Sequence, residues 1–103
     1  MKADRHLDGT WHVSTDSGMT EWDRVPANDM AYLVDALERS IPYVACGNTF
    51  SFKNAKRRFS LKADPDTCWI ELYWRGHIVA WPSAESFKGT VYKLKAAMKE
   101  SRP

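Results

Sequence analysis

Cysteine is scarce in this chain of 103 residues, which contains only Cys46 and Cys68. The two do not form a Cys-x-x-Cys pair and neither has a histidine at ligand spacing, so the sequence predicts no zinc site and no cofactor. A single bridge at most is too few for a secreted disulfide scaffold. Both thiols are therefore predicted to be small buried hydrophobes in a reducing compartment, which indicates a cytoplasmic protein.

Long apolar runs are also absent. The longest covers residues 30–34, whereas a membrane-spanning helix needs roughly 18 or more apolar residues. The N-terminal MKADRHLDG is polar and lacks the core of a signal peptide. The sequence therefore predicts no association with a membrane.

Recognisable catalytic motifs are missing as well. There is no glycine-rich phosphate-binding loop and no Gly-x-Ser-x-Gly elbow. The histidines, His6, His12 and His77, are scattered along the chain, and none has a neighbouring Cys or Ser that it could activate. Asp64 and Asp66 flank a proline, a pattern typical of a turn. These observations predict a protein that is not an enzyme and binds no metal.

The length and composition are those of one folded domain covering residues 1–103. Apolar residues make up 44% of the chain, five residues are Trp, and the formal net charge is +2. Residues 1–51 contain four Lys/Arg and eight Asp/Glu, whereas residues 52–103 contain eleven and five. This asymmetry is compatible with one cationic side, and equally with the ordinary scatter of a small number of charges.

Residues 10–14 alternate like a strand, residues 15–18 form a turn signal, and residues 19–25 are predicted to return as a second strand. A helix follows, with Asn28 as its N-cap and Asp29 in its first turn. Pro42 is predicted to end this helix at Ile41. Its apolar stripe consists of Met30, Leu33, Val34, Leu37 and Ile41.

Three further strands are predicted from the alternation of apolar residues. A loop at residues 54–57 pairs Phe52 with Phe59, and a loop at residues 64–67 pairs Leu61 with Ile70. Residues 74–77 form a two-residue turn into a strand at 77–81. Ser83 caps a second helix, whose apolar stripe is Ala84, Phe87, Val91, Leu94 and Met98.

The sequence thus predicts an α+β fold, in which an antiparallel sheet of four to five strands has two helices packed on one face. The element order is roughly β(β)αββββα. The helices are predicted to cover Phe50, Phe52, Phe59, Leu61, Ile70 and Leu72.

The opposite sheet face carries aromatic and basic residues together. The predicted register places Lys62 beside Trp69, Ser60 beside Glu71, Arg58 beside Tyr73 and Lys53 opposite Arg58, so two of these pairs are cation–π contacts. The alternative is a solvated face, because long cations commonly cover strand aromatics. The predicted partner-binding residues are Lys53, Lys56, Arg57, Arg58, Lys62, Trp69 and Tyr73.

A second basic patch is predicted on the last helix, at spacings of four, three and four. The alternative is an ordinary solvated helix face, since basic residues near a helix C-terminus also suit the helix dipole. The patch consists of Lys88, Tyr92, Lys95 and Lys99.

Three functions are compatible with these features. The first is a small non-catalytic inhibitor or regulator that docks on a protein or nucleoprotein partner, of the kind that phages encode against host defence. The second is a nucleic-acid-binding domain that uses the basic 53–62 hairpin on phosphates and Trp69 and Tyr73 on bases. The third is an enzyme with an unrecognised site. The sequence favours the first and sets no oligomeric state.

Overall fold

The α+β class is confirmed by a computed structural model of the chain. It describes residues 1–45, 48–67 and 69–100, so the predictions made for Cys46 and Cys68 lie outside the described residues. Within that part of the chain, seven strands form two antiparallel sheets, in place of the single sheet of four to five strands that was predicted. The elements are β1 Lys2–Arg5, β2 Trp11–Ser14, β3 Glu21–Val25, α1 Ala27–Ala45, β4 Phe50–Asn54, β5 Phe59–Asp64, β6 Trp69–Trp74, β7 His77–Trp81 and α2 Ala84–Glu100.

The chain divides into two compact units. The first contains residues 1–38 and α2 from Gly89 onward, and its sheet has the order β1-β2-β3. The strands β2 and β3 and the turn between them were predicted, whereas β1 was not. Its sequence KADR has one apolar residue, Ala3, which lies opposite Val13, so it gives no alternation signal. The buried residues of this unit include Ala3, Trp11, Val13, Trp22, Val25, Met30, Leu33, Leu37, Val91 and Leu94.

A β-bulge interrupts the pairing of β2 with β3. Trp11 lies opposite Val25 and Val13 lies opposite Trp22, so that two residues of β3, Asp23 and Arg24, occupy the space of one. Arg24 has a left-handed backbone with φ 53°. A bulge of this kind bends the strand and re-aims a side chain.

Helix α1 runs further than predicted. It begins at Ala27 rather than after an Asn28 cap, and Asp29 lies in its first turn as expected. Pro42 lies inside the helix, which continues to Ala45, so the predicted end at Ile41 is wrong. A proline in the last turn removes one backbone donor but does not prevent the following residues from closing the helix. Among the described residues, neither helix is long and apolar enough to cross a membrane.

The second unit, residues 39–88, contains the sheet β4-β5-β6-β7. Its strands were predicted, but the register of the first two hairpins is shifted by two residues. Phe59 lies opposite Asn54, not Phe52, and Leu61 lies opposite Leu72, not Ile70. Because the shift is even, every side chain stays on its predicted face.

The inner face of this sheet holds most of the predicted core. The buried residues of this face are Phe59, Leu61, Ala63, Ile70, Leu72, Trp74 and Trp81. Phe50 is half-buried, and Phe52 is 44% exposed although it was predicted to be covered. Its strand, β4, lies at the sheet edge, and the Phe52 and Phe59 rings meet in an edge-to-face contact with centroids 5.9 Å apart.

The last turn and cap are as predicted. Trp74 lies opposite His77, and the two turn residues between them, Arg75 and Gly76, both have positive φ, which is the geometry that matches strand twist. The Ser83 hydroxyl accepts from the backbone N–H of Ser86 at 3.2 Å and so caps α2.

Candidate functional site

The outer face of the four-stranded sheet is the candidate site. Alternation along β6 buries Ile70 and Leu72 and leaves Trp69 48% and Tyr73 42% exposed, as the sequence predicts. On β7, Ile78 lies opposite Tyr73 and is 61% exposed. The register gives the members of this outer face as Ser51, Lys53, Ser60, Lys62, Asp64, Trp69, Glu71, Tyr73, Ile78 and Ala80.

One row of cross-strand neighbours on the outer face contains an exposed apolar pair. Lys53, Ser60, Tyr73 and Ile78 lie opposite one another in that order across the four strands. Tyr73 therefore lies opposite Ser60, and the predicted pairing of Tyr73 with Arg58 is wrong. The exposed tyrosine ring and isoleucine side chain adjoin each other, which is the arrangement of an apolar contact patch.

Glu71 organises the next row. Lys62 lies opposite it, with Nζ 3.3 Å from Oε1, and the indole N–H of Trp69 donates to Oε2 at 3.3 Å. The predicted Lys62–Trp69 and Ser60–Glu71 pairs are therefore wrong. The Lys62 cation is balanced by a carboxylate, and the Trp69 ring is oriented by the same side chain.

The β4–β5 turn places the basic residues of the 53–62 hairpin differently from the prediction. Residues Ala55–Arg57 form a 3₁₀ turn, and Asn54 caps it by accepting from the Arg57 backbone N–H at 3.3 Å. Arg58 has a left-handed backbone, φ 49°, and is not a strand residue. Lys53 therefore lies opposite Ser60, and the predicted cross-strand pairing of Lys53 with Arg58 is wrong.

A further cation joins this end of the sheet. The backbone N–H of Arg75 donates to the carbonyl of Arg58 at 3.1 Å, which ties the β6–β7 turn to the β4–β5 turn. Arg75 was not among the predicted site residues, and it joins them because the β4–β5 and β6–β7 turns lie at the same end of the sheet. We call Lys56, Arg57, Arg58 and Arg75 the basic end of the sheet.

The opposite end is acidic. Asp64 lies opposite Trp69 at the β5–β6 turn, and its carboxylate accepts from the Asp66 backbone N–H at 2.9 Å. We call Asp64 and Asp66 the acidic end. An open groove of about 500 Å³ lies there, and its polar and aromatic lining includes Lys62, Asp64, Asp66, Trp69 and Glu71.

The second basic patch is only partly available for binding. Lys88, Tyr92, Lys95 and Lys99 are exposed residues of α2. Lys95 is engaged with Glu38, with Nζ 2.7 Å from Oε2, so its charge is already balanced. The binding role of this patch stays a prediction.

The first unit contains a cluster that the sequence analysis missed. His6 Nε2 lies 2.6 Å from Asp23 Oδ1, and His12 Nδ1 lies 3.3 Å from the same oxygen. The two imidazoles meet edge to face with centroids 6.4 Å apart. The sequence placed the histidines apart, because it showed neither β1 nor the bulge that brings Asp23 to them.

The charge of Asp23 follows from these contacts. Its hydrogen bond to His6 lowers the pKa of the carboxyl from the ordinary 3.8 to about 2, with further help from the Arg24 backbone N–H and from His12. Asp23 is therefore ionised throughout the neutral range. A nearby carboxyl, Asp8, also has a lowered pKa, because its Oδ1 accepts from both the hydroxyl and the backbone N–H of Thr10.

Comparisons of this chain with protein-family models, with curated proteins and with solved structures gave no match.

Proposed function

We propose that this chain is a non-catalytic binding protein, an inhibitor or regulator, that docks on a protein partner through the outer face of the four-stranded sheet. The observation that carries the proposal is that Trp69, Tyr73 and Ile78 are exposed on one sheet face, with Trp69 at its acidic end and the Tyr73–Ile78 pair towards its basic end. Aromatic residues in such positions supply binding energy at protein interfaces. The proposal includes a cytoplasmic location for the protein.

The size of the face indicates how much surface a partner would use. Four strands about 4.8 Å apart and about five residues long span roughly 19 by 17 Å, or on the order of 300 Å². A stable interface buries about 800 Å² on each side. A partner would therefore cover the turns at both ends as well as the exposed trio.

The charge pattern favours a protein over a nucleic acid. The outer face carries two lysines, Lys53 and Lys62, and two carboxylates, Asp64 and Glu71. A phosphate backbone crossing the whole face would meet Asp64, Asp66 and Glu71, and like charges oppose such binding. A protein surface with charges of both signs can complement both ends.

The experiment uses immobilised protein and a cytoplasmic extract. Tyr73→Ala/Ile78→Ser removes the exposed Tyr73–Ile78 pair and leaves the buried residues of β6 in place. Leu7→Ser is the matched control, because Leu7 is a fully exposed hydrophobe of the other unit. A partner that binds wild type and the Leu7 variant, but not the double variant, supports the proposal; equal recovery by all three contradicts it.

Nucleic-acid binding is the second candidate, favoured by the basic end alone. The hydrogen bond between Arg58 and Arg75 brings two basic turns together, which would suit the phosphates of a single strand that leaves the acidic end uncovered. The affinity for a random-sequence oligonucleotide would then fall steeply with salt and would drop in Lys56→Glu/Arg58→Glu. No binding at low salt would exclude this candidate.

A further inference from the structure

The cluster of His6, His12 and Asp23 has the composition of a metal site. Each residue offers one ligand atom, and the three atoms all lie within 4.8 Å of one another. Two imidazoles and one carboxylate are a ligand set that divalent zinc binds in proteins. The two histidines are half-buried and Asp23 is exposed, so the cluster is open to an ion from solution.

The fold brings the ligands from three separate segments. His6 follows β1, where its backbone N–H donates to the Thr10 carbonyl at 2.8 Å, and His12 lies within β2. Asp23 lies in the bulge of β3, where the left-handed Arg24 follows it. Ligands that come from separate strands of a paired sheet are held in place by its backbone hydrogen bonds, and this lowers the entropy cost of binding an ion.

The distances fit a tetrahedral ion after a small adjustment. Zinc–ligand bonds of about 2.0–2.1 Å place neighbouring tetrahedral ligands about 3.4 Å apart. The 3.3 Å between His12 Nδ1 and Asp23 Oδ1 is already close to that value. The 2.6 Å between His6 Nε2 and Asp23 Oδ1 has to widen, which a rotation of the exposed Asp23 side chain allows.

A fourth residue supports His12 from the other side of its ring. Nδ1 faces Asp23, while Nε2 lies 3.7 Å from Glu21 Oε1. Histidines that bind metals characteristically direct their second ring nitrogen at a carboxylate, which fixes the tautomer and raises the basicity of the ligating nitrogen. Glu21 lies on that side at an ion-pair distance longer than a hydrogen bond, and a small rotation of its exposed side chain would bring it into hydrogen-bond range.

One neighbouring cation is already paired with a carboxylate. Arg24 follows Asp23 in the chain, and its Nη1 lies 2.8 Å from Asp8 Oδ2. The guanidinium is therefore paired with a carboxylate outside the cluster. Its repulsion of an incoming dication is reduced accordingly.

We propose that His6, His12 and Asp23 bind a divalent zinc ion, with Glu21 orienting His12 and with water in the fourth position. Zinc takes three ligands and one water where a site is open to solvent. The ion would replace the direct His–Asp hydrogen bonds with three metal bonds and would join the β1–β2 loop to β3.

Calorimetric titration of the untagged protein with zinc chloride in a non-chelating buffer at neutral pH tests the site. Wild type is expected to bind one ion per chain, and His6→Ala/His12→Ala is expected to show no binding at this site. His77→Ala is the matched control, because it removes the remaining histidine of the chain from the other unit and should leave the affinity unchanged. Circular dichroism before titration confirms that each variant is folded.

Glu21→Gln tests the supporting residue separately. Loss of a carboxylate behind a ligating histidine typically weakens metal binding 10- to 100-fold, so the variant should bind zinc at the same stoichiometry with an affinity lowered by that factor. X-ray absorption of the zinc complex should show nitrogen and oxygen neighbours only. Sulfur in that shell, unchanged zinc binding in the double histidine variant, or the absence of binding by wild type would each overturn the proposal.

Discussion

Glu71 holds two neighbours on the outer face: its Oε1 lies 3.3 Å from Lys62 Nζ and its Oε2 accepts from the Trp69 indole. The Lys62 side chain is 60% exposed, so solvent screens the pair strongly. A double-mutant cycle with Lys62→Ala and Glu71→Ala should therefore give a coupling energy of about 0.2–1 kcal/mol. Urea unfolding of the four proteins measures it, and 1 M salt should reduce it.

Lys53 provides the control for this cycle, because it lies one row away, opposite Ser60. The coupling between Lys53→Ala and Glu71→Ala should be close to zero. An equal coupling for Lys53 and Lys62 would contradict the pairing.

Leu72 and Tyr73 test which face of β6 is covered. Leu72 is fully buried, so Leu72→Ala removes packed atoms and should lower the free energy of unfolding by about 2–5 kcal/mol. Tyr73→Ala alters an exposed ring and should cost less than about 1 kcal/mol. Urea denaturation of the two variants measures the difference, and a reversed order would mean that the docking face is a buried one.

Pro42 should destabilise α1 relative to an alanine at the same position. Proline lacks the backbone N–H that a helix residue donates, which costs up to about 3 kcal/mol of folding free energy. Replacing it also makes the unfolded chain more flexible, and this opposing effect is smaller. Pro42→Ala is therefore expected to raise the free energy of unfolding by about 1–2 kcal/mol, seen as a higher Tm.

Pro82 is the matched control for Pro42, since it lies between β7 and α2 and outside both. Pro82→Ala should lower the free energy of unfolding by about 0.4–1 kcal/mol, because the unfolded chain becomes more flexible. If both substitutions lower the Tm, Pro42 is not strained.

Asp23 should make stability depend on acid pH. Its pKa is about 2 in the folded protein and 3.8 ordinarily, so the unfolded chain takes up the proton first as the pH falls. The stabilisation is complete above about pH 4 and is lost between there and about pH 2. Asp23→Asn should flatten the plot of unfolding free energy against pH in that window, and an Asp23→Asn plot parallel to that of wild type would contradict this.

The sheet faces could be predicted because alternation has a period of two. Phe59, Leu61, Ile70 and Leu72 are buried and Trp69 and Tyr73 exposed, even though both hairpins pair two residues away from the prediction. The register depended on local geometry that the pattern does not show. Asn54 caps a 3₁₀ turn, and this moves the loop from residues 54–57 to residues 55–58.

The histidine cluster could not be predicted for a different reason. Its members are six and eleven residues apart in sequence, and they meet through a strand with one apolar residue and a bulge at Asp23. Neither feature has a periodic signature. The helix end at Ala45 could not be predicted because a proline usually ends a helix, whereas Pro42 lies in the last turn, where the loss of one backbone donor still lets the following residues continue the helix.

The position of β4 at the sheet margin bears on how the protein behaves when concentrated. Within the described residues its one strand neighbour is β5, so its outer side offers backbone donors and acceptors to another chain. The exposed Phe52 ring would add an apolar contact to such pairing. Lys53, beside it, adds a charge that opposes the joining of two molecules along β4 into one continuous eight-stranded sheet.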